Sequence, residues 1–335
     1  MFRFLAKRFL LALPILGGLL LLIFILTRVV AADPAAILAG EVSTLSQIAE
    51  LRKELGLDEP LAIQFVLYIK QVLTGNFGKS MFTHREVTLD LALRLPATIE
   101  LSFFTMLVSI VIGVPLGMMA AVHRNSIIDH GLRLFSLVGL AVASFWLAII
   151  FQLIFSLYLE ILPLRGRIPD SIAPPNSITG LFVIDFMLNG QFKSAFIAMT
   201  HLILPGLTLG FPAIATIARF TRSAAIETLS QDFVIWERAA GYPMRIIIWK
   251  YVLRSSISST VTQIGLLFGL FLSGSIVVEA IFGWPGLGDY MYNAVMISDY
   301  QPIMATTLVI GVIYILVNLL VDILQLWIDP RLADD

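Results

Sequence analysis

The residues best equipped for chemistry in this chain are a glycine-lysine-serine run, four histidines and three carboxylates at or within apolar stretches. The run Gly75-Asn76-Phe77-Gly78-Lys79-Ser80 ends like a loop whose backbone N–H groups wrap nucleotide phosphates. Its glycines are too close together for the Gly-x-x-x-x-Gly-Lys-Ser/Thr spacing that such wrapping needs, so nucleotide binding is not expected there. His84, His123, His130 and His201 show no His-Glu-x-x-His or other metal-ligand spacing. Cysteine is absent, which excludes disulfides and thiolate-bound metals. Glu100, Glu279 and Asp322 could carry protons if they lay deep in a bilayer. They sit near the ends of apolar runs or in the last one, and read as interfacial or bundle-facing carboxylates. No catalytic, cofactor-binding or metal-binding residue emerges, so the chain is expected not to be an enzyme.

The elements that hold these residues are apolar. Hydrophobic residues make up 58% of the chain and charged ones 13%, against about 45–50% and about 25% in soluble domains. The net charge of −1, with basic residues scattered, argues against a nucleic-acid partner. Runs near 9–31, 99–122, 132–159, 202–221, 259–281 and 303–328 are each long enough to cross a bilayer, where the backbone must satisfy its own hydrogen bonds as helix. The first follows Arg3, Lys7 and Arg8 but, at about 23 residues, exceeds the apolar region of a secretory signal, so it reads as a retained helix. Pro14, Pro115, Pro205 and Pro212 are expected to kink the spans. Basic residues gather before the first span, at Arg124, and from Arg219 to Arg254, which puts those segments and both termini in the cytoplasm. The longer connections, Asp33 to Leu95 and Glu160 to Thr200, then form external caps.

Ser223 to Arg254 is the most informative connection. Ser230 is placed to cap a short helix carrying Asp232 in its first turn, and Gly241-Tyr242-Pro243 supplies its stop. Phe233, Trp236, Glu237 and Ala240 share one face, suited either to a groove on a soluble partner or to the lipid surface. Later, Phe282 and Trp284 are placed to anchor at the interface while Pro285, Gly286 and Gly288 turn the chain. That loop reads as architecture ahead of direct solute contact.

These stretches resemble the membrane subunits of binding-protein-dependent ABC importers, in particular the first of the paired permeases of the dipeptide, oligopeptide and nickel group. RVVAADPA (28–35), ELRKELGLDEP (50–60) and GNFGKS (75–80) are similar to the group's outer segment. LPATIEL (95–101), HLILPGLT (201–208), RFTRS (219–223), QDFVIWERAAG (231–241), EAIFGWPGLG (279–288) and Asp329-Pro330-Arg331 are similar to its transport core. Ile235, Trp236 and Glu237 stand where the family's Glu-Ala-Ala is usual, Ser259 where a proline is usual, and Ala31-Ala32 where Pro-Gly is usual.

The resemblance implies an all-α integral membrane protein with six transmembrane helices, the type I ABC importer fold and both termini cytoplasmic, in a bacterial or archaeal inner membrane. Residues 1–31 would hold the N-terminus and first helix, 32–95 an external segment, 96–328 the core with five helices, 223–258 the coupling region and 329–335 the tail. It implies half of a pathway for peptides or related solutes such as nickel chelates. The partners would be a second homologous permease, two cytoplasmic ATPases that use ATP and Mg, an external solute-binding protein and membrane lipid. Asp232, Phe233, Trp236, Glu237, Arg238, Ala239, Ala240 and Gly241 would couple to the ATPase. Glu279, Phe282, Trp284, Pro285, Gly286 and Gly288 would form the structural loop after the fifth helix. An ion-coupled secondary transporter and a non-transporting membrane scaffold are the alternatives.

Overall fold

The computed structural model describes residues 2–26, 46, 52–53 and 58–328. The expected elements at 28–35 and 329–331, and most of that at 50–60, lie outside the described residues. Among the described residues the chain is all helical, with one isolated antiparallel bridge, Lys79 to Glu86. Its long helices are α1 (Phe2–Ile25), α3 (Val87–Val122), α7 (Phe192–Leu229), α10 (Leu253–Phe282) and α12 (Tyr300–Ile328). Shorter ones are α2 (Leu61–Leu73), α4 (Ile127–Ala141), α5 (Ser144–Phe151), α6 (Phe182–Leu188), α8 (Asp232–Ala239), α9 (Met244–Ile246) and α11 (Leu287–Met296). π-helical turns extend α5 over Gln152–Tyr158 and join α9 to α10 over Ile247–Val252.

Among the described residues three helices, Val87–Val122, Phe192–Leu229 and Tyr300–Ile323, are long and apolar enough to cross a membrane, and up to five spans result if each bent pair counts as one. Only 22% of the most apolar window of Tyr300–Ile323 is buried by protein, so most of that surface must be covered by something other than water. The stretch expected as a single span at 132–159 is broken. α4 and α5 with its π-helical extension meet at 104°, because Val142 and Ala143 adopt extended backbone between them. No proline or glycine marks that break, which is why periodicity alone missed it. The second bent pair, Met244–Ile257 with Thr260–Leu272, turns by 61°.

The chain forms two compact units. The larger comprises the described residues of 95–289 and 316–328 and contains the main core, in which Leu101, Met118, Leu204, Ile217, Leu272 and Trp284 are almost wholly buried. α3 and α7 approach closely there. A Cβ on Gly117 would lie 2.5 Å from the Ala218 carbonyl oxygen, and one on Gly206 would lie 2.6 Å from the Phe104 ring. Small residues permit the close helix packing that lipid-embedded bundles rely on, where no hydrophobic force drives association. Pro115 and Pro205 lie inside these helices.

The smaller unit comprises residues 2–94 and 290–315. α1 meets α2 through Phe24, whose ring centroid lies 5.1 Å from Phe65 and 5.9 Å from Tyr68. The run Gly75 to Ser80 forms a turn after α2, closed by Thr74 N–H to Lys70 O and Gly75 N–H to Val72 O, each at 3.0 Å. Asp299 accepts hydrogen bonds from the Ser80 hydroxyl at 2.8 Å and the Met81 N–H at 2.7 Å, so the glycine-rich segment is tied to the start of α12 by a carboxylate. Within the run itself the N–H groups of Gly75, Asn76 and Ser80 donate to the carbonyls of Val72, Gln71 and Arg85, so they are not directed at a common anion.

Candidate functional site

α8 is an eight-residue helix between two long apolar ones. Its C-terminus is closed by the complete Schellman pattern, with Gly241 N–H donating to Arg238 O at 3.0 Å and Tyr242 N–H to Glu237 O at 3.2 Å. Gly241 has φ +81°. No atom lies within 4 Å of a Cβ built there, so backbone conformation alone demands glycine.

The start of α8 differs from expectation. Ser230 closes α7, its hydroxyl donating to Glu227 O at 2.7 Å, and Gln231 takes the N-cap position without a side-chain bond. α7 runs to Leu229, which consumes the serine that would otherwise have capped α8. The exposed face is also displaced. Phe233 packs against the core, Val234 is 1% exposed and Glu237 is half-buried. The outward face is Asp232, Ile235, Trp236 and Ala239, at i, i+3, i+4 and i+7, with Arg238 and Ala240 also exposed. Trp236 is 75% and Ile235 62% exposed. An eight-residue window fits either register, and burial of Val234 beside Phe233 decides between them. One oxygen of Glu237, Oε2, is buried without a hydrogen-bond partner.

Glu279 organises the second predicted group. It is fully buried in α10 and both its oxygens are occupied. Oε1 accepts from the hydroxyls of Thr98 at 2.9 Å and Ser275 at 2.8 Å, and Oε2 from the N–H groups of Gly288 at 2.7 Å and Asp289 at 3.1 Å. Thr98 Oγ1 in turn accepts from Leu287 N–H at 2.8 Å. The orphan donors of the first turn of α11 are thus capped from a neighbouring helix, as unpaired N–H groups at helix starts require. A Cβ on Gly286 would collide with Glu279 Oε2 and Thr98 Oγ1, and one on Gly288 would lie 2.6 Å from Ile276 Cα. Trp284 is 1% exposed and its indole N–H donates to Ala97 O at 2.9 Å. Phe282 is likewise buried. These two aromatics are therefore core anchors and not interfacial ones, because α3 supplies a carbonyl partner inside the protein.

Two further charged groups escaped sequence reasoning. Glu100, expected near a span end, is buried in an ion pair with Arg167, and its Oε1 accepts from Val183 N–H at 2.8 Å. The Arg167 guanidinium lies 3.6 Å from the Phe182 ring centroid, and burial pulls its pKa down, opposed by Glu100. In the same connection burial pushes the Asp185 carboxyl up, but hydrogen bonds from the Thr179 hydroxyl and the N–H groups of residues 178–180 outweigh it and leave the group below its ordinary value.

The second group lies at the start of α4. Asp129, fully buried, accepts from Arg222 Nε, from Arg222 Nη2 at 2.9 Å, from Arg133 Nη2 at 2.8 Å and from Asn125 N–H at 3.0 Å. The i, i+4 spacing of Asp129 and Arg133 was visible in the sequence, but the partnership with Arg222 is not local. Asp129→Ala strands the Arg222 charge and is expected to destabilise the chain by about 3–5 kcal/mol, whereas Asp129→Leu with Arg222→Met should recover most of it. Thermal unfolding in detergent checks both. Among the described residues no group of three or more His, Asp or Glu could hold a metal ion.

Comparison with known proteins agrees with this architecture. Residues 113–334 match the family described as binding-protein-dependent transport system inner membrane component, and residues 1–102 match its N-terminal companion. The "Probable D,D-dipeptide transport system permease protein DdpB" of Escherichia coli strain K12 is 38% identical over 95% of this chain and 94% of its own length. The dipeptide transport system permease protein DppB of Alkalihalophilus pseudofirmus is 38% identical over 99% of each chain. The glutathione transport system permease protein GsiC of Salmonella choleraesuis is 35% identical over 99% of each. A solved structure of the MetNI methionine ABC transporter in inward facing conformations aligns with a TM-score of 0.51 over 69% of this chain and 93% of that one, at 18% identity, a likeness of fold alone. With nearly two thirds of its length inside the first match, the chain belongs to the family of binding-protein-dependent transport system inner membrane components.

Proposed function

We propose that this chain is a permease subunit of an ATP-binding-cassette importer and forms half of the translocation pathway for peptides or related small solutes. The observation that carries the reading is α8, a short helix with an exposed tryptophan face and a fixed glycine stop, held between two long apolar helices. Such an element can transmit motion from a soluble partner to the spans without chemistry of its own. The full-length relatives named for dipeptide and glutathione transport support peptides as cargo.

In this reading six helices span the inner membrane with both termini in the cytoplasm. A second homologous permease completes the pathway, two cytoplasmic ATPases bind ATP and Mg, and an external binding protein delivers solute. The chain itself holds no cofactor. Asp232, Trp236 and the residues to Gly241 engage the ATPase, through the outward face that Trp236 dominates. The loop from Glu279 to Gly288 is architectural.

Purification from membranes is expected to yield the chain together with a similar permease and two ATPase chains. In liposomes that assembly, supplied with its binding protein, should take up labelled dipeptide only with ATP and be indifferent to collapse of ion gradients. Uptake by this chain alone, driven by a proton gradient, would overturn the reading in favour of a secondary transporter. A stable oligomer without any ATPase would favour a scaffold.

A further inference from the structure

α4 and α7 enclose an open cleft of about 210 Å³. Its walls change character along its length. Arg133, Arg219 and Arg222 line it together with Leu132, Leu137 and Leu140. On α4, Arg133, Leu137 and Leu140 follow at i, i+4 and i+7, so one stripe runs from a guanidinium to two leucines. On α7 the two arginines lie toward the C-terminal end of the helix, beside the start of α4, where the connection of residues 123–126 leaves the apolar segment. Leu137 is 69% and Leu140 51% exposed, while Leu132 is buried.

The charge balance is uneven. Among the described residues Asp129 is the one carboxylate bonded to these groups, and it takes Arg222 through both oxygens and Arg133 through one. Three guanidiniums against one carboxylate leave an excess of positive charge. Among the described residues Arg219 is exposed and has no carboxylate partner. Asp129 also fixes the position of Arg222, so one cation of the cleft is preorganised before any ligand arrives.

We propose that this cleft binds an anionic phospholipid, its phosphate held by Arg219 with Arg133 and Arg222, and an acyl chain laid along Leu137 and Leu140. A basic end continuous with an exposed apolar stripe matches a lipid whose charge and hydrocarbon are joined in that order. A soluble anion would leave the leucines uncovered, and a zwitterionic lipid would leave the positive excess unmatched.

The test uses the full chain, purified with whatever partners accompany it, in a neutral detergent. Dioleoyl phosphatidylglycerol and dioleoyl phosphatidylcholine are added in turn, and retained lipid is counted by native mass spectrometry. Phosphatidylglycerol is expected to be retained about fivefold better, and Arg219→Gln to remove most of that preference, in line with the effect of a single basic residue at an anionic surface. Arg245→Gln, an exposed change elsewhere, should leave it intact. Equal retention of the two lipids, or an equal loss with Arg245→Gln, overturns the proposal, since the first denies headgroup selection and the second reduces it to diffuse charge. A photoreactive group at Leu137 should crosslink lipid, and capture of a protein chain there instead would overturn it as well. Arg219 bonds to nothing in the Asp129 cluster, so its variant should fold. Lipid retention is read without transport and fails independently of the peptide-import reading.

Discussion

Glu279→Ala is expected to lower the unfolding free energy by about 3–5 kcal/mol, since it leaves two hydroxyls and two backbone N–H groups without their acceptor in a buried site. The hydroxyls of Thr98 and Ser275 can turn to other acceptors, but the N–H groups of Gly288 and Asp289 are fixed by the helix they begin. Glu279→Gln should do less harm. Its carbonyl oxygen can serve the two N–H groups while its amide donates to the hydroxyl oxygens. Gly286→Ala makes an independent check from the other side of the same contact, because its new methyl group must displace the carboxylate or Thr98. Thermal unfolding in detergent, with the fraction of chain recovered in a monodisperse peak, reads all three. A midpoint for Glu279→Ala equal to that of the parent would remove the cluster from the stabilising framework.

The second large effect concerns α8. Trp236→Ala is expected to weaken ATPase binding by about 2 kcal/mol, roughly thirtyfold, because an exposed tryptophan at a docking face is the residue type whose truncation harms interfaces most. Gly241 separates backbone from side chain. With open space around its Cβ position, Gly241→Asn should retain uptake, since asparagine tolerates positive φ. Gly241→Val should reduce ATP-linked uptake about tenfold, in line with the roughly 1–2 kcal/mol that left-handed backbone costs an L-residue and the added stiffness of β-branching. Undiminished affinity in Trp236→Ala would move the docking surface off this helix. Equal uptake by the asparagine and valine variants would detach the turn from the mechanism.

Much of the fold was legible because lipid imposes a simple rule on sequence. Runs of apolar residues announced the helices containing Leu101, Ile217 and Leu308, and glycine followed by Tyr242-Pro243 announced the end of α8. What could not be read depended on choices between near-equal local alternatives or on distant partners. The break at Val142 and Ala143 carries no breaker residue, so only tertiary packing selects it. The register of α8 turned on whether Val234 or Glu237 would be more deeply buried, and eight residues are too few for periodicity to decide. Residue type points Trp284 to an interface, whereas a carbonyl at Ala97 draws it inside. The role of Asp129 required Arg222, which only folding brings to it.

The bond between Thr98 and Glu279 joins positions 181 residues apart. A ribosome therefore delivers the threonine well before the glutamate exists, and until then its hydroxyl must turn to a carbonyl of its own helix. Closure of this knot is a late event in biogenesis, and a nascent chain interrupted before residue 279 would present quality-control proteases with an unfinished seam.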